Sequence, residues 1–247
     1  MRKLLTLLLF LLFSAPTAMA QVIYTDWMWK DWEVTTFGGG SFGQTFNFPT
    51  FTTFNAGIPA VTRNVGLHYG SGYLVGVNCR ENLGDYGAAD LQYTFANAPL
   101  EFRNLSPTVP SLGLGHKIHT FTYNGVFQAF SYRHKFRPYA RAGAGASLFF
   151  IDGGSSKDDA EALLGVDLRD SWKFNVSYGG GFKLLFNGDV GVAFDVRDTV
   201  SGVPSYGLPK TAQVVKGVFV PGFDRDGLLH NFQMSVGLIF RWNDWSY

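Results

Sequence analysis

A strict two-residue alternation runs through residues 171–197, and it constrains the fold more than any other feature of the sequence. One face of this segment carries large apolar side chains such as Trp172 and Phe174, whereas the other carries small or polar ones such as Asn175. A period of two is typical of β-strands. The Asn-Gly dipeptide at 187–188 interrupts the pattern and indicates a tight hairpin turn.

The way bulk is divided between the two faces indicates what each face contacts. In a soluble sheet the bulky apolar face is covered by a second layer. Here the small and polar face is predicted to turn inward and the aromatic face outward. A transmembrane β-barrel needs this arrangement because its exterior contacts lipid. We interpret the segment as one hairpin of an all-β protein, an eight-stranded antiparallel up-and-down transmembrane β-barrel.

The first 20 residues have the organisation of a secretory signal peptide. A positively charged start precedes an apolar run at 4–13, and an A-x-A cleavage motif occupies 18–20. The apolar run is shorter than the roughly 20 residues that a membrane-spanning helix requires. We therefore predict a cleaved signal peptide at 1–20, a periplasmic or interfacial segment at 21–32 and the barrel domain at 33–247.

Composition is consistent with a membrane barrel and argues against other classes. Aromatic residues make up 17% of the chain and charged residues only 16%, against about a quarter in typical proteins. A net charge of +1 gives no support to a polyanion-binding role, so no nucleic-acid partner is expected. The single cysteine, Cys79, cannot form an internal disulfide, and its position in the alternation places it on the outer face.

Eight segments with strand periodicity follow the predicted signal peptide. They are residues 33–44, 64–80, 85–96, 117–132, 138–150, 171–186, 190–197 and 230–242. In the fourth segment aromatic residues occur on both faces, and we place Thr122, Asn124 and Gln128 inward. The connections alternate between long and short, as in transmembrane barrels with short periplasmic turns and long outer loops. The long connections are residues 45–63, 97–116, 151–170 and 198–228.

The last predicted strand ends in a pattern similar to the C-terminal signal read by the outer-membrane barrel-assembly machinery. Ser235 is followed by Gly237, and Phe240 and Trp242 alternate at the end. Such an edge strand offers unpaired backbone groups for strand addition. The sequence departs from the usual signal because residues 243–247 follow the pattern.

These features together resemble the outer-membrane protein β-barrel family, the eight-stranded group that includes the OmpA membrane domain and OmpW-type barrels. The segments that carry the resemblance are Arg137-Pro138-Tyr139 with Ala142-Gly143-Ala144-Gly145, Tyr178-Gly179-Gly180-Gly181-Phe182-Lys183, and Phe194-Asp195-Val196-Arg197-Asp198. The resemblance implies location in the outer membrane, among its lipids and lipopolysaccharide. It also implies roles in envelope integrity, adhesion or small conduits, and it brings no catalytic, cofactor or metal residue with it.

Charged residues collect at positions predicted to face the lumen. They are Glu33, His68, Arg80, Asp90, Arg141, Lys183, Asp195, Arg197 and Arg241. An eight-stranded barrel is just wide enough inside for side chains, and unpaired charges would be costly there. We therefore expect opposite charges to pair and plug the lumen. The alternative is a polar path that conducts ions or gates.

An enzymatic role is a weaker alternative, because some eight-stranded outer-membrane barrels modify lipid A. The candidate residues are His116, His119 and His230, with Ser106, Ser111 and Ser201. None lies in a pattern typical of nucleophilic catalysis. The histidines also lack the spacing of metal ligands, so we expect neither enzymatic activity nor a cofactor.

Two non-enzymatic functions remain at this stage. The first is a structural or surface-interaction barrel whose long loops bind a surface, a host ligand or lipopolysaccharide. The Phe-rich first loop, with Phe46, Phe48, Phe51 and Phe54, suits either such contact or packing of the loop on itself. The second is a narrow conduit for small or hydrophobic solutes.

Overall fold

The structure is a computed structural model that describes residues 31–55, 58–103, 111–131, 134–186, 189–210, 213–215, 218–220 and 226–243. The predicted signal peptide and nearly all of the predicted segment 21–32 lie outside these ranges. The described elements are β1 Asp31–Phe42, β2 Thr45–Asn55, β3 Ile58–Tyr69, β4 Gly72–Asn82, β5 Gly87–Asn97, β6 Leu100–Arg103, β7 Ser111–Leu114, β8 His116–Gln128, β9 Phe136–Ile151, α1 Ser155–Leu164, β10 Ser171–Leu185, β11 Val190–Gly202, β12 Gln213–Val215, β13 Val218–Val220 and β14 Leu228–Asn243.

Eight of these strands close into an antiparallel barrel, which confirms the predicted fold. Their order around the barrel is β1-β14-β11-β10-β9-β8-β5-β4. The first and last strands of the chain complete the ring, with Asp31 opposite Asn243 and Phe42 opposite Phe232. Because every barrel strand has two neighbours, the barrel exposes no edge to solvent or lipid.

Burial alternates along the barrel strands with the predicted period of two. In β10, Asn175 and Ser177 are buried, whereas Trp172 and Phe174 are exposed. The same holds for the fourth predicted strand, now β8, where the three polar residues placed inward are all buried. Cys79 is exposed on the outer face, as its position predicted. Bulky apolar side chains therefore cover the exterior, and polar ones fill the interior.

The connections between barrel strands alternate in length as predicted. Short turns join β4 to β5, β8 to β9 and β10 to β11, whereas long segments join the other consecutive barrel strands. All short turns lie at one end of the barrel because the strands run antiparallel. This end is called the short-turn end below, and the opposite one the loop end.

The predicted long loops contain regular structure that the sequence analysis missed. Strands β2, β3, β6 and β7 form a separate four-stranded sheet, and β12 pairs with β13 in a two-stranded sheet. Helix α1 lies between β9 and β10 and ends at Gly165, which has the left-handed conformation of a helix C-cap. Among the described residues, no helix has the length and apolar character needed to cross a membrane.

The predicted single strand at 64–80 is wrong, since two strands, β3 and β4, share this range. The break follows Tyr69, where the Gly70 amide donates to the carbonyl of Pro99 at 2.7 Å. β3 pairs with β2 and β6 and contributes nothing to the barrel wall. The parity of Leu67 and Tyr69, opposite to that of His68, predicts the outer face, but both are buried because this sheet packs its apolar face over the loop end.

Candidate functional site

Glu33 is the centre of an ion-pair cluster near the short-turn end of the lumen. Its buried carboxylate accepts hydrogen bonds from Arg137 Nη2 at 2.8 Å and from Lys183 Nζ. The Nε atom of Arg241 lies 3.3 Å from Glu33 Oε1. One carboxylate is therefore shared by three cationic side chains.

Strand register and barrel closure bring these four side chains together. Glu33 is opposite Arg241 in the pairing of β1 with β14, and Arg137 is opposite Lys183 in the pairing of β9 with β10. In the barrel order β1 and β9 are separated by three strands on each side. The bond from Arg137 to Glu33 therefore joins diametrically opposite walls of the barrel.

A second cluster occupies the middle of the lumen around Asp90 and Asp195. Arg80 Nη2 donates to Asp90 Oδ2 at 3.1 Å. Arg141 pairs with Asp195, and its Nη1 atom lies 3.9 Å from Asp90 Oδ2. The Tyr139 hydroxyl donates to Asp195 Oδ2 at 2.7 Å. These contacts link strands β4, β5, β9 and β11 through the interior.

Arg197 is buried without a carboxylate partner within 4 Å among the described residues. Its Nε donates to Gln233 Oε1 at 2.7 Å and its Nη2 to Thr94 Oγ1 at 2.6 Å. The guanidinium carbon also lies 5.5 Å from the centre of the Phe37 ring. Thr94 is on β5 and Arg197 on β11, which are also opposite one another in the barrel order. This residue forms a second bridge across the lumen.

The loop end of the barrel is filled by an apolar cluster rather than by charges. Its buried members are Leu67, Tyr69, Leu74, Ala96, Leu100, Phe102, Leu114, Ile118, Phe149, Ile151, Ala160, Leu164, Leu168, Tyr206, Leu208 and Leu229. They come from barrel strands, from the four-stranded sheet, from α1 and from the segment after β11. The cluster therefore joins the outer structure to the barrel mouth.

A chain of three polar contacts lies inside this apolar cluster. The Tyr206 hydroxyl lies 2.9 Å from His116 Nε2 and 3.2 Å from the Tyr69 hydroxyl. The Nδ1–H group of His116 donates to the carbonyl of Ala98 at 3.0 Å. Burial raises the pKa of Tyr69 and that of Tyr206 above the ordinary tyrosine value, so both hydroxyls stay protonated at neutral pH.

Eight of the nine predicted lumen residues lie inside the barrel. They are Glu33, Arg80, Asp90, Arg141, Lys183, Asp195, Arg197 and Arg241. His68 was wrongly placed in the lumen: it lies in β3, in the four-stranded sheet, where its Nδ1 is 2.6 Å from Thr45 Oγ1. The alternation in β3 was genuine, but it describes the faces of a sheet beyond the barrel.

Two further residues, Arg137 and Tyr139, are buried in the lumen and were not predicted there. Both share the inward parity of Arg141, but residue 137 was assigned to a turn because β9 begins two residues earlier than predicted. Arg137 is among the largest fully buried side chains. Tyr139 has Arg80 at 4.9 Å and Lys183 at 5.9 Å from its ring centre. Extending the predicted strand by one residue would have included Arg137, and Tyr139 already lay within it at the inward parity.

The histidines and serines considered for catalysis have other partners. His119 Nδ1 lies 2.8 Å from the Tyr93 hydroxyl, and His230 Nδ1 lies 2.7 Å from Asp198 Oδ2. Ser201 is buried on the inner face, with its hydroxyl 3.3 Å from the carbonyl of Gly202. Ser111 is exposed in β7, and Ser106 lies outside the described residues. Within the described ranges, no group of three or more His, Cys, Asp or Glu could hold a metal ion.

The residues of the predicted assembly signal all lie on β14. Ser235 is buried toward the lumen, whereas Phe240 and Trp242 are exposed on the exterior. A β-carbon on Gly237 would come within 2.8 Å of the Thr36 carbonyl oxygen on β1. A residue without a β-carbon is therefore needed at position 237, because β14 and β1 approach closely where they close the barrel. Recognition by the assembly machinery stays a prediction.

Comparisons with known proteins identify the fold. No protein-family model matches the sequence, and no curated protein does. Among solved structures, the outer membrane protein OprG from Pseudomonas aeruginosa has a TM-score of 0.57 at 14% identity, over 86% of this chain and 95% of OprG. The protein has the fold of an eight-stranded outer-membrane β-barrel.

Two other solved outer-membrane barrels match less well. Neisserial surface protein A has a TM-score of 0.45 at 10% identity, over 85% of this chain and 97% of its own. The outer membrane protein AlkL, solved in lipid bilayers, has a TM-score of 0.45 at 15% identity, over 86% and 92%.

The exterior of this outer-membrane β-barrel has the chemistry that lipid requires. Large apolar side chains are exposed on seven of the eight barrel strands, including Phe174 at 65% and Phe127 at 63%, and those on the outer face of β11 are partly exposed. A soluble monomer rarely exposes so extended an apolar surface. An apolar outer band around a polar interior is typical of transmembrane barrels. The exterior therefore fits strands that span a lipid bilayer, and the outer-membrane fold agrees with the predicted location.

Proposed function

We propose that this protein is a closed-lumen outer-membrane barrel with a structural or surface-interaction role and without catalytic activity. The observation that carries the proposal is the bridging of opposite barrel walls by buried side chains. Arg137 reaches Glu33, and Arg197 reaches Thr94, across the full width of the tube. A continuous water path would have to displace these contacts, and breaking a buried ion pair is costly.

The apolar cluster at the loop end supplies a second barrier in series with the charged one. Residues far apart in the sequence, such as Leu67 and Leu229, are buried together in this cluster. An apolar constriction opposes ion passage because an ion there would lose its hydration without gaining partners. Opening a path for ions would therefore require both the ion-pair network and the apolar cluster to rearrange.

The outer four-stranded sheet supports the surface-interaction part of the proposal. It lies beyond the barrel wall, and among the described strands its first strand, β2, pairs with β3 alone. The uncharged segment Thr45–Asn55 that forms β2 contains four phenylalanines. An edge strand of this composition is suited to contact with another surface, such as lipopolysaccharide or a host ligand.

Recordings from purified, refolded protein in planar lipid bilayers test the closed lumen. We expect no steady conductance over the voltages that the bilayer tolerates, because two barriers close the tube. Folding of the same sample is verified by its heat-dependent gel mobility, and the heat-unfolded protein is the control. A reproducible steady conductance from the folded fraction would contradict the proposal and favour the conduit.

A further inference from the structure

The buried charges inside the barrel do not balance. Among the described residues, five buried cationic side chains share the lumen with three buried carboxylates. The cations are Arg80, Arg137, Arg141, Lys183 and Arg197, and the carboxylates are Glu33, Asp90 and Asp195. These side chains are more than nine-tenths buried, so solvent screens them poorly. The excess of two positive charges calls for a further negative charge nearby.

The cations already compensate for the shortage of carboxylates in other ways. Arg137 and Lys183 share Glu33, which Arg241 also contacts, and within the described part of the chain Arg197 binds neutral acceptors and an aromatic face. The Tyr139 ring has both Arg80 and Lys183 within 6 Å of its centre. Cation–π contacts of this kind lower the energy of a cation but do not neutralise it.

A cavity lies where the positive charge is concentrated. Its volume is about 20 Å³, and Arg80, Arg141 and Lys183 are among the residues that line it. Arg80 Nε, Arg80 Nη1 and Arg141 Nε are buried and have no hydrogen-bond acceptor among the described residues. Buried donors without acceptors are costly. The charge excess and the unpaired donors therefore point to the same occupant, an anionic acceptor.

We propose that this cavity is a binding site for one small inorganic anion of the halide class, with chloride as the physiological ion. A cavity of this volume has room for one or two water-sized species, so it fits a monatomic anion better than phosphate or an organic carboxylate. A water molecule could accept the hydrogen bonds but would leave the charge excess. Asp195 also lines the cavity, and its oxygens are bound by Arg141 and the Tyr139 hydroxyl.

The anion would interact with cationic side chains from different parts of the barrel wall. Arg80 belongs to β4, Arg141 to β9 and Lys183 to β10, so an ion between them attracts side chains from separate strands. Ligands that bind only the folded state raise its stability in proportion to their concentration relative to Kd. Chloride is thus a stabilising component of the lumen, whether or not the lumen conducts.

The test compares thermal unfolding of the refolded protein in detergent with sodium chloride, sodium bromide or sodium gluconate at equal ionic strength. Gluconate is too large for the cavity, so it controls for screening. We expect chloride and bromide to raise Tm saturably over gluconate. Arg80→Gln should abolish this difference, whereas Arg103→Gln, at an exposed arginine paired with Glu101, should retain it. Anomalous scattering from crystals of protein refolded and crystallised in sodium bromide should show one peak beside Arg80.

Two results would overturn the proposal. One is equal Tm in chloride and gluconate for the unaltered protein, and the other is a bromide map without a peak in the cavity, which would assign the site to water. If Arg80→Gln does not fold, Lys183→Met removes a second lining charge and should likewise abolish the halide effect. Because these readouts involve no conductance, their failure is distinct from failure of the closed-lumen proposal.

Discussion

Among single residues, Glu33 contacts more cationic side chains of the lumen than any other described carboxylate does. It is fully buried at the start of β1, and its partners lie on β9, β10 and β14. Burying it costs hydration free energy, which the surrounding cations must repay through direct contacts. Since three cations depend on it, the loss of its charge should affect all of them.

We expect Glu33→Gln to destabilise the barrel by about 3–5 kcal/mol, the range for breaking one side of a buried ion pair. Glutamine keeps the size of the side chain, so the effect reports charge rather than a cavity. Urea unfolding in detergent, followed by tryptophan fluorescence, measures it. Glu101→Gln is the matched control, because Glu101 pairs with Arg103 at the surface and exposed pairs contribute little. Equal stability of the two variants would contradict the central role of Glu33.

At the scale of elements, strands β8 and β9 approach one another closely through glycine. A β-carbon on Gly145 would overlap the carbonyl oxygen of Phe121 and lie 2.8 Å from Thr122 Cα. In contrast, the nearest atom to a β-carbon on Gly125 is the Ala142 carbonyl oxygen at 4.0 Å. Inward glycines therefore permit the strong coiling of a narrow barrel wall.

This difference makes the two glycines a matched pair. We expect Gly145→Ala to destabilise the barrel by about 1–3 kcal/mol, as overpacking does in cores. Gly125→Ala places its methyl group in open space and should leave stability unchanged. The folded fraction after refolding, read from heat-dependent gel mobility, and urea unfolding give the comparison. If both variants behave like the unaltered protein, the strands are not as tightly apposed as the structure indicates.

At the scale of the whole molecule, the barrel and the outer sheet are separable structures that share one apolar cluster. The ladder between β1 and β4 runs from Trp32 opposite Glu81 to Ser41 opposite Gly72, so it does not require β2 or β3. The outer sheet nevertheless contributes Leu67 and Tyr69 to the cluster at the barrel mouth. Barrel closure and surface chemistry can therefore be altered independently.

Replacing residues 45–69 with a short turn tests this separation. We expect the barrel to fold, with retained heat-dependent mobility, and to melt at a lower temperature because Leu67 and Tyr69 leave the cluster. Attachment of cells to surfaces should fall if the outer sheet mediates interaction, measured at equal outer-membrane amounts of both proteins. Unchanged attachment would remove the support for the surface-interaction role, and failure to fold would show that the two structures are interdependent.

The sequence revealed most of the barrel because alternation is local. Each strand residue faces either lipid or the lumen, so Phe174 and Asn175 show their environments without knowledge of their partners. The same parity placed Glu33, Lys183 and Asp195 inside. Parity failed at His68 and Tyr69, since a strand beyond the membrane shows the same period while its apolar face packs against protein.

Local alternation of side chains was enough to predict the class of fold, the face of most barrel residues and the order of short and long connections. Which charges meet depends on the tertiary structure, because Lys183 and Glu33 are 150 positions apart and pair through the interior. The tertiary structure also decided where the chain leaves the barrel wall and how the outer segments close its mouth. These outcomes depend on strand stagger and ring closure, which no local pattern of side chains specifies.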